Sequence, residues 1–200
     1  MPKQTFYNLK EEKREKIEQA LLKEFSNNTF ERASISNIIA EAQIPRGSFY
    51  QYFENKDDAV EYIINKYLKK EKERIYNSLL RNNGDIFETS IDIYDYIIEK
   101  INTTTNLKLF KNILQELRKN NTNAFEGNAE LLSGRKTIEK IIDKRELNIQ
   151  EKEDLYYFLR ILNLVIRSAT LEVISNKITQ EEGKQKLLKE IEILKRGMKK

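Results

Sequence analysis

The 200-residue chain contains no cysteine and no histidine, only two prolines and only six glycines. Without cysteine there is no disulfide framework and no thiolate metal site. Without histidine, the commonest general base and the commonest metal ligand are both missing. With so few helix breakers, long helices are the natural reading. The first residues, Met1-Pro2-Lys3-Gln4, carry no apolar leader segment, and no eighteen apolar residues run together. The expectation is a cytoplasmic protein with no membrane partner. No nucleophile–base pair and no glycine-rich phosphate loop stands out, so no enzyme, catalytic residue, metal or cofactor is expected. Carboxylate pairs such as Glu181-Glu182 read as partners of a helix dipole.

What is present suits a helical globular chain: 39% hydrophobic residues can form a core and 34% are charged. The formal net charge of +4 is compatible with a nucleic-acid partner without requiring one. Residues 1–56 hold nine Lys and Arg against eight Asp and Glu. Any DNA binding there must come from placing positive charge on one face.

The most informative stretch runs from Ser34 to Lys56. Ser34 is a good N-cap. Ile35, Ile38, Ile39 and Ala42 then give a stripe at helical spacing. Pro45 suits the first turn of a second helix. Phe49 and Phe53 would face inward and leave Arg46, Ser48, Tyr50 and Gln51 on other faces. A short helix of this kind suits a DNA major groove. The run Ile44-Pro45-Arg46-Gly47-Ser48-Phe49-Tyr50-Gln51-Tyr52-Phe53-Glu54-Asn55-Lys56 resembles the DNA-binding domain of the tetracycline-repressor (TetR) family, and the resemblance covers residues 9–60. Two positions depart from the family pattern: Gln43 stands where a turn glycine is usual, and Pro45 where a small polar cap is usual. The resemblance implies that Arg46, Gly47 and Ser48 meet base edges or a thymine methyl. Tyr50, Gln51 and Lys56 would hold phosphates, with Ser34, Ser36 and Asn37 against the DNA backbone and Pro45 opening the helix.

Around this stretch, residues 1–8 read as a flexible arm. Asn8 with Glu11 reads as a capping box for a helix to Asn27, and Phe30 as a core plug with Phe25 and Phe49. Asn55 caps a fourth helix with Asp57 and Asp58 in its first turn. Its stripe at Val60, Ile63, Ile64, Tyr67 and Leu68 continues to about Arg81, where Asn82-Asn83-Gly84 stops it. Further helices are expected over Asp85–Ile101, around Leu107–Leu117 and over Leu131–Ile142, with a polar loop at Asn120–Asn128. Capping boxes at Asn148/Glu151 and Thr179/Glu182 open the last two. The helix up to Ser175 is apolar nearly all round, so it needs cover on several sides. A four-helix interface with a second copy would supply it, with Leu162, Ile166, Leu187, Ile191 and Leu194 as candidate contacts. An intramolecular core is the alternative.

The expected fold is all-α, with about nine helices. A three-helix, helix-turn-helix DNA-binding domain at 1–56 precedes a helical ligand-binding and dimerisation domain at 57–200. The expected function is a homodimeric repressor released from a near-palindromic double-stranded operator by an unidentified small-molecule effector. By resemblance the pocket lies between the fifth to eighth helices, with Phe87, Tyr94, Tyr96, Phe110, Phe125 and Phe158 as candidate lining. The near-neutral N-terminal domain supports an alternative, an all-helical protein–protein scaffold that binds no DNA.

Overall fold

Of the seventeen apolar and aromatic side chains that give residues 1–64 their core, thirteen lie on the inner faces of helices, and Phe30, Ala33, Ile44 and Phe53 plug the core from the connecting segments. The computed structural model describes residues 1–101, 104–119, 138–145, 147–151 and 153–198. Among these the chain forms α1 (Gln4–Tyr7), α2 (Glu11–Asn27), α3 (Ile35–Ala42), α4 (Arg46–Tyr52), α5 (Lys56–Arg81), α6 (Ile86–Ile101), α7 (Thr104–Lys119), α8 (Asp154–Ile174) and α9 (Gln180–Met198), and no strand. Residues 138–141 add a helical turn. The all-α, helix-turn-helix architecture is as expected. The expected loop at 120–128 and most of the helix expected at 131–142 lie outside the described residues.

The chain packs as two units, Met1–Glu71 with Thr103–Leu132, and Lys72–Asn102 with Ser133–Lys200. In the first, Ile17, Leu21, Phe25, Ile38, Phe49, Phe53 and Ile63 are essentially unexposed. The Phe25 and Phe30 rings meet edge-on at 5.2 Å. Glu18 is buried on α2, where it accepts from the Tyr62 hydroxyl and the Lys66 ammonium of α5. Burial first, and then the bond to Glu18, push the Tyr62 phenol well above its ordinary range. α7 also belongs here. Ile113 enters the core, and the Asn112 amide donates to the carbonyls of Phe25 and Asn28 at 2.8 and 2.9 Å. That satisfies groups which the end of α2 leaves open.

In the second unit α6, α8 and α9 pack pairwise around Phe87, Tyr94, Phe158, Leu162, Ala169, Leu187 and Ile191. Asp85 caps α6 by accepting from the N–H groups of Phe87 and Glu88. The Thr179/Glu182 capping box is complete: Thr179 N–H reaches Glu182 at 2.7 Å and Glu182 N–H reaches Thr179 Oγ1 at 3.2 Å. Gly84 joins α5 to α6 at φ 84°, and a Cβ there would stand 2.5 Å from the Ile141 carbonyl. Only glycine fits that turn.

Four local expectations need correction. The N-terminal arm is not flexible: it forms α1, and Phe6 is fully buried. α2 is capped at Lys10, because Asn8 ends α1 instead of opening α2. The Ser34 hydroxyl makes no capping bond at α3. The Asn148/Glu151 box does not form either, since Asp154 accepts from the N–H groups of Gln150 and Glu151 and α8 starts at that residue.

Candidate nucleic-acid interface

α3 and α4 are joined by the three residues 43–45. Gln43 takes the left-handed conformation, φ 54° and ψ 47°. Its N–H reaches the Ala40 carbonyl at 3.3 Å, and the Ile44 N–H reaches the Ile39 carbonyl at 3.1 Å. That pair of bonds is a Schellman motif, and Ile44 brings its hydrophobic contact by burying beside α3. The turn therefore closes as a glycine turn would, with glutamine in the strained place. Pro45 is the N-cap, extended at φ −61° and ψ 147°, and its carbonyl accepts from Ser48 N–H at 2.9 Å.

α4 is two-sided. Phe49, Tyr52 and the following Phe53 are buried, with the Phe49 and Phe53 centroids 5.3 Å apart. Arg46, Gly47, Tyr50 and Gln51, at i, i+1, i+4 and i+5, are exposed, and Ser48 is half-buried. The Arg46 guanidinium lies 5.9 Å from the Tyr50 ring and 3.5 Å from its hydroxyl. No carboxylate among the described residues pairs with Arg46. Around Gly47 an added Cβ would find no atom within 4 Å. This glycine does not accommodate a neighbour inside the protein, so the space outside it is open to an approaching backbone.

The remaining candidates lie on adjoining segments. Ser36 and Asn37 are exposed on α3 and Ser34 is half-buried before it. Glu24 organises this end: its buried carboxylate accepts from Ser34 N–H at 2.8 Å, Asn28 at 3.0 Å and the Asn37 amide at 3.1 Å. The Asn37 amide is thus directed to Glu24. Lys56, at the start of α5, donates to the Glu31 carbonyl at 2.6 Å. Asp58 N–H reaches Asn55 Oδ1 at 2.9 Å, the cap expected there. Sequence reasoning missed Glu24, which looks like one more carboxylate in the alternating Glu/Lys face of α2. It also missed Lys3 and Thr5, which reach α4 only through the tertiary fold.

The candidate effector residues divide. Phe87 and Phe158 meet in the second unit at 5.4 Å, and Tyr94 is buried with its hydroxyl against Gly183, where a Cβ would collide with it. Tyr96 is covered by the Arg74 guanidinium, 3.1 Å from its centroid. Phe110 is on α7 in the first unit, and Phe125 lies outside the described residues. Among the candidate interface residues, Leu162, Ile166, Leu187 and Ile191 are buried in the protomer's own core and Leu194 is half-buried. The apolar side chains that α8 and α9 expose are Tyr157, Ile161, Leu164 and Ile193, at 49, 45, 56 and 54%.

These features define a helix-turn-helix protein with a helical second unit. The model of bacterial regulatory proteins of the tetR family matches residues 17–63. The tetracyclin repressor-like C-terminal domain matches residues 85–198, more than half of the chain. The chain therefore belongs to the TetR family of transcriptional regulators, with a DNA-binding helix-turn-helix at its N-terminal end. Solved structures share the fold. A TetR-family regulator from Chloroflexus aurantiacus is 24% identical over 100% of this chain and 99% of its own, with a TM-score of 0.54. One from Mesorhizobium loti is 14% identical over 94% and 98%, with a TM-score of 0.70. EbrR, a multidrug binding protein complexed with imidazole, is 17% identical over 90% of each chain, with a TM-score of 0.58. No curated protein matches the chain. Among the described residues no helix is long and apolar enough to cross a membrane.

Proposed function

We propose that this protein is a homodimeric, sequence-specific repressor that a small molecule releases from a near-palindromic operator. The outer face of α4 carries this reading: Arg46, Gly47, Tyr50 and Gln51 stand exposed over a fully packed inner face. Arg46 reads a base edge, bidentate to guanine where its partner is a G·C pair. Ser48 and the open backbone at Gly47 lie beside it. Tyr50, Gln51 and Lys56 hold phosphates, and Ser34, Ser36 and Pro45 line the approach. Asn37 contributes by way of Glu24. Residues 1–56 read DNA, and residues 57–200 carry the effector and the partner copy. The work is cytoplasmic because the DNA is there, and no catalytic step is assigned to any residue.

One recognition helix makes too few base contacts for a useful specificity ratio. Two are needed, with half-sites about 34–36 Å apart or a multiple of that. The effector site is assigned to the second unit, near Phe87, Tyr94 and Phe158, whose aromatic side chains favour an apolar or amphipathic ligand. α5 is a single helix of 26 residues, about 39 Å long, from Lys56 to Arg81. As a continuous helix it is the proposed link between effector binding and DNA release. A coupling of about 1–3 kcal/mol is enough for release, and operator DNA must then weaken effector binding by the same factor.

The test is a mobility shift on a duplex enriched from a random-sequence pool, titrated with salt. Affinity must fall as salt rises. Arg46→Ala is expected to cost about 1–3 kcal/mol on the enriched duplex and to spare a shuffled one. Lys56→Ala is expected to weaken both and to lower the salt slope by about one. A wild-type chain that shifts no duplex at low salt would rule the proposal out.

A further inference from the structure

α4 is seven residues long, so most of its backbone is helix end. An α-helix leaves its last four carbonyls without intrahelical partners. α4 has no left-handed cap of its own: Phe53 is extended at φ −126° and ψ 143°, and its N–H reaches only the Phe49 carbonyl. The other three carbonyls are each taken by the N-terminal segment. Lys3 Nζ donates to the Tyr50 carbonyl at 2.9 Å. The Thr5 hydroxyl donates to the Gln51 carbonyl. The Lys3 N–H donates to the Tyr52 carbonyl at 2.8 Å. The segment is itself anchored. Pro2 and Phe6 are buried, and the Phe6 ring lies 5.0 Å from that of Phe53 and 5.2 Å from that of Tyr62. The Lys3 charge sits at the negative end of the α4 dipole. Residues 1–16 precede the segment that the family's DNA-binding model matches.

The geometry points to residues 3–5 as a clasp that sets the position of α4, with Lys3 and Thr5 as positioning residues for base readout. The inference rests on the DNA-binding reading above. Two of the capped residues, Tyr50 and Gln51, belong to the proposed DNA face. Base contacts demand side chains held to within about half an ångström, whereas phosphate attraction tolerates a looser helix. Loosening the clasp therefore costs specificity before it costs non-specific affinity. Lys3 and Thr5 are exposed, so their substitution leaves the core intact.

The full chain carrying Thr5→Val, Thr5→Ser or Lys3→Met is titrated on the duplex enriched by the wild type and on a shuffled duplex of equal length. Thr5→Val is expected to lose on the order of threefold to tenfold on the enriched duplex and nothing on the shuffled one. Thr5→Ser keeps the hydroxyl and is expected to bind like the wild type. Without DNA, the α4 amides of Thr5→Val are expected to exchange faster than those of Thr5→Ser. Lys3→Met is expected to lose specificity with an unchanged salt slope. Wild-type behaviour of Thr5→Val, or an equal loss on both duplexes, overturns the clasp. A slope lower by about one in Lys3→Met makes Lys3 a phosphate contact and overturns its role as a cap. A wild-type chain that enriches no duplex overturns the DNA-binding reading, and the clasp's role with it. That outcome is read before any variant is made.

Discussion

The Lys16 ammonium of α2 donates to Gln43 Oε1 at 2.5 Å, and Gln43 is the residue that holds the helix-turn-helix corner in the left-handed region. A left-handed backbone costs an L-residue about 1–2 kcal/mol, while glycine's extra freedom in the unfolded chain costs about 0.5–1 kcal/mol. The bond to Lys16 is exposed and returns little. Gln43→Gly is therefore expected to stabilise the protein by about 0.5–1 kcal/mol with the Schellman motif kept. Denaturant unfolding measures it. A loss of stability would show that the Lys16 bond outweighs the strain.

Gly47 separates stability from function. Nothing inside the protein fills the space its Cβ would take, and alanine is the better helix former by about 0.8–1 kcal/mol. Gly47→Ala is expected to raise or preserve the melting temperature. It is also expected to weaken DNA binding, because in the proposed reading the methyl would intrude between α4 and the base edges. A variant that gains stability and binds DNA unchanged would remove Gly47 from the interface.

Asp92 holds α5 to α6. Its Oδ2 accepts from Ser78 at 2.6 Å, Asn82 at 3.0 Å and Arg81 at 3.3 Å. Burial raises its pKa, but these donors outweigh burial and hold the carboxyl below its ordinary value. A depressed folded pKa gives stability that is present above the unfolded value and lost as pH falls through the folded one. Asp92→Asn is therefore expected to be less stable than the wild type near neutral pH, with the difference shrinking below about pH 4. Unfolding at a series of pH values checks this. A gap that stays constant into acid would show that Asp92 acts through shape and not charge.

The parts of the fold that local chemistry dictates were legible. α5 begins at Lys56 and ends at Arg81 because Asn55 caps it, Asp57 and Asp58 suit its dipole, and Asn82-Asn83-Gly84 cannot continue it. The face of α4 was legible because its aromatics sit at helical spacing. α1 was not, since four residues carry little periodicity and Phe6 is held by rings from Tyr52, Phe53 and Tyr62. The Asn148/Glu151 spacing misled because Asp154, three residues past Glu151, competes for the same N–H groups. A periodic stripe says that a face is covered but not by what. Leu187 and Ile191 read as interface candidates with an intramolecular core as the alternative, and the fold turns both inward.

That inward turn moves the proposed partner surface. Tyr157, Ile161 and Leu164 lie at i, i+4 and i+7 on α8, and all three are exposed. On α9, Ile193 is exposed, and Gly197 one turn later has nothing within 4 Å of an added Cβ. An open glycine beside an exposed isoleucine lets another helix come close. In a two-fold interface each substitution appears twice. Ile161→Lys with Leu164→Lys would therefore bury or oppose four like charges, and would also lose burial that contributes about 1.5–3 kcal/mol per fully covered side chain. This double variant is expected to be a folded monomer, helical by circular dichroism and half the mass by sedimentation. Leu187→Ala is expected to behave oppositely. It opens a cavity in the protomer, costs about 2–5 kcal/mol, and lowers the melting temperature of every species present. A dimer that survives Ile161→Lys with Leu164→Lys would move the interface away from the outer face of α8.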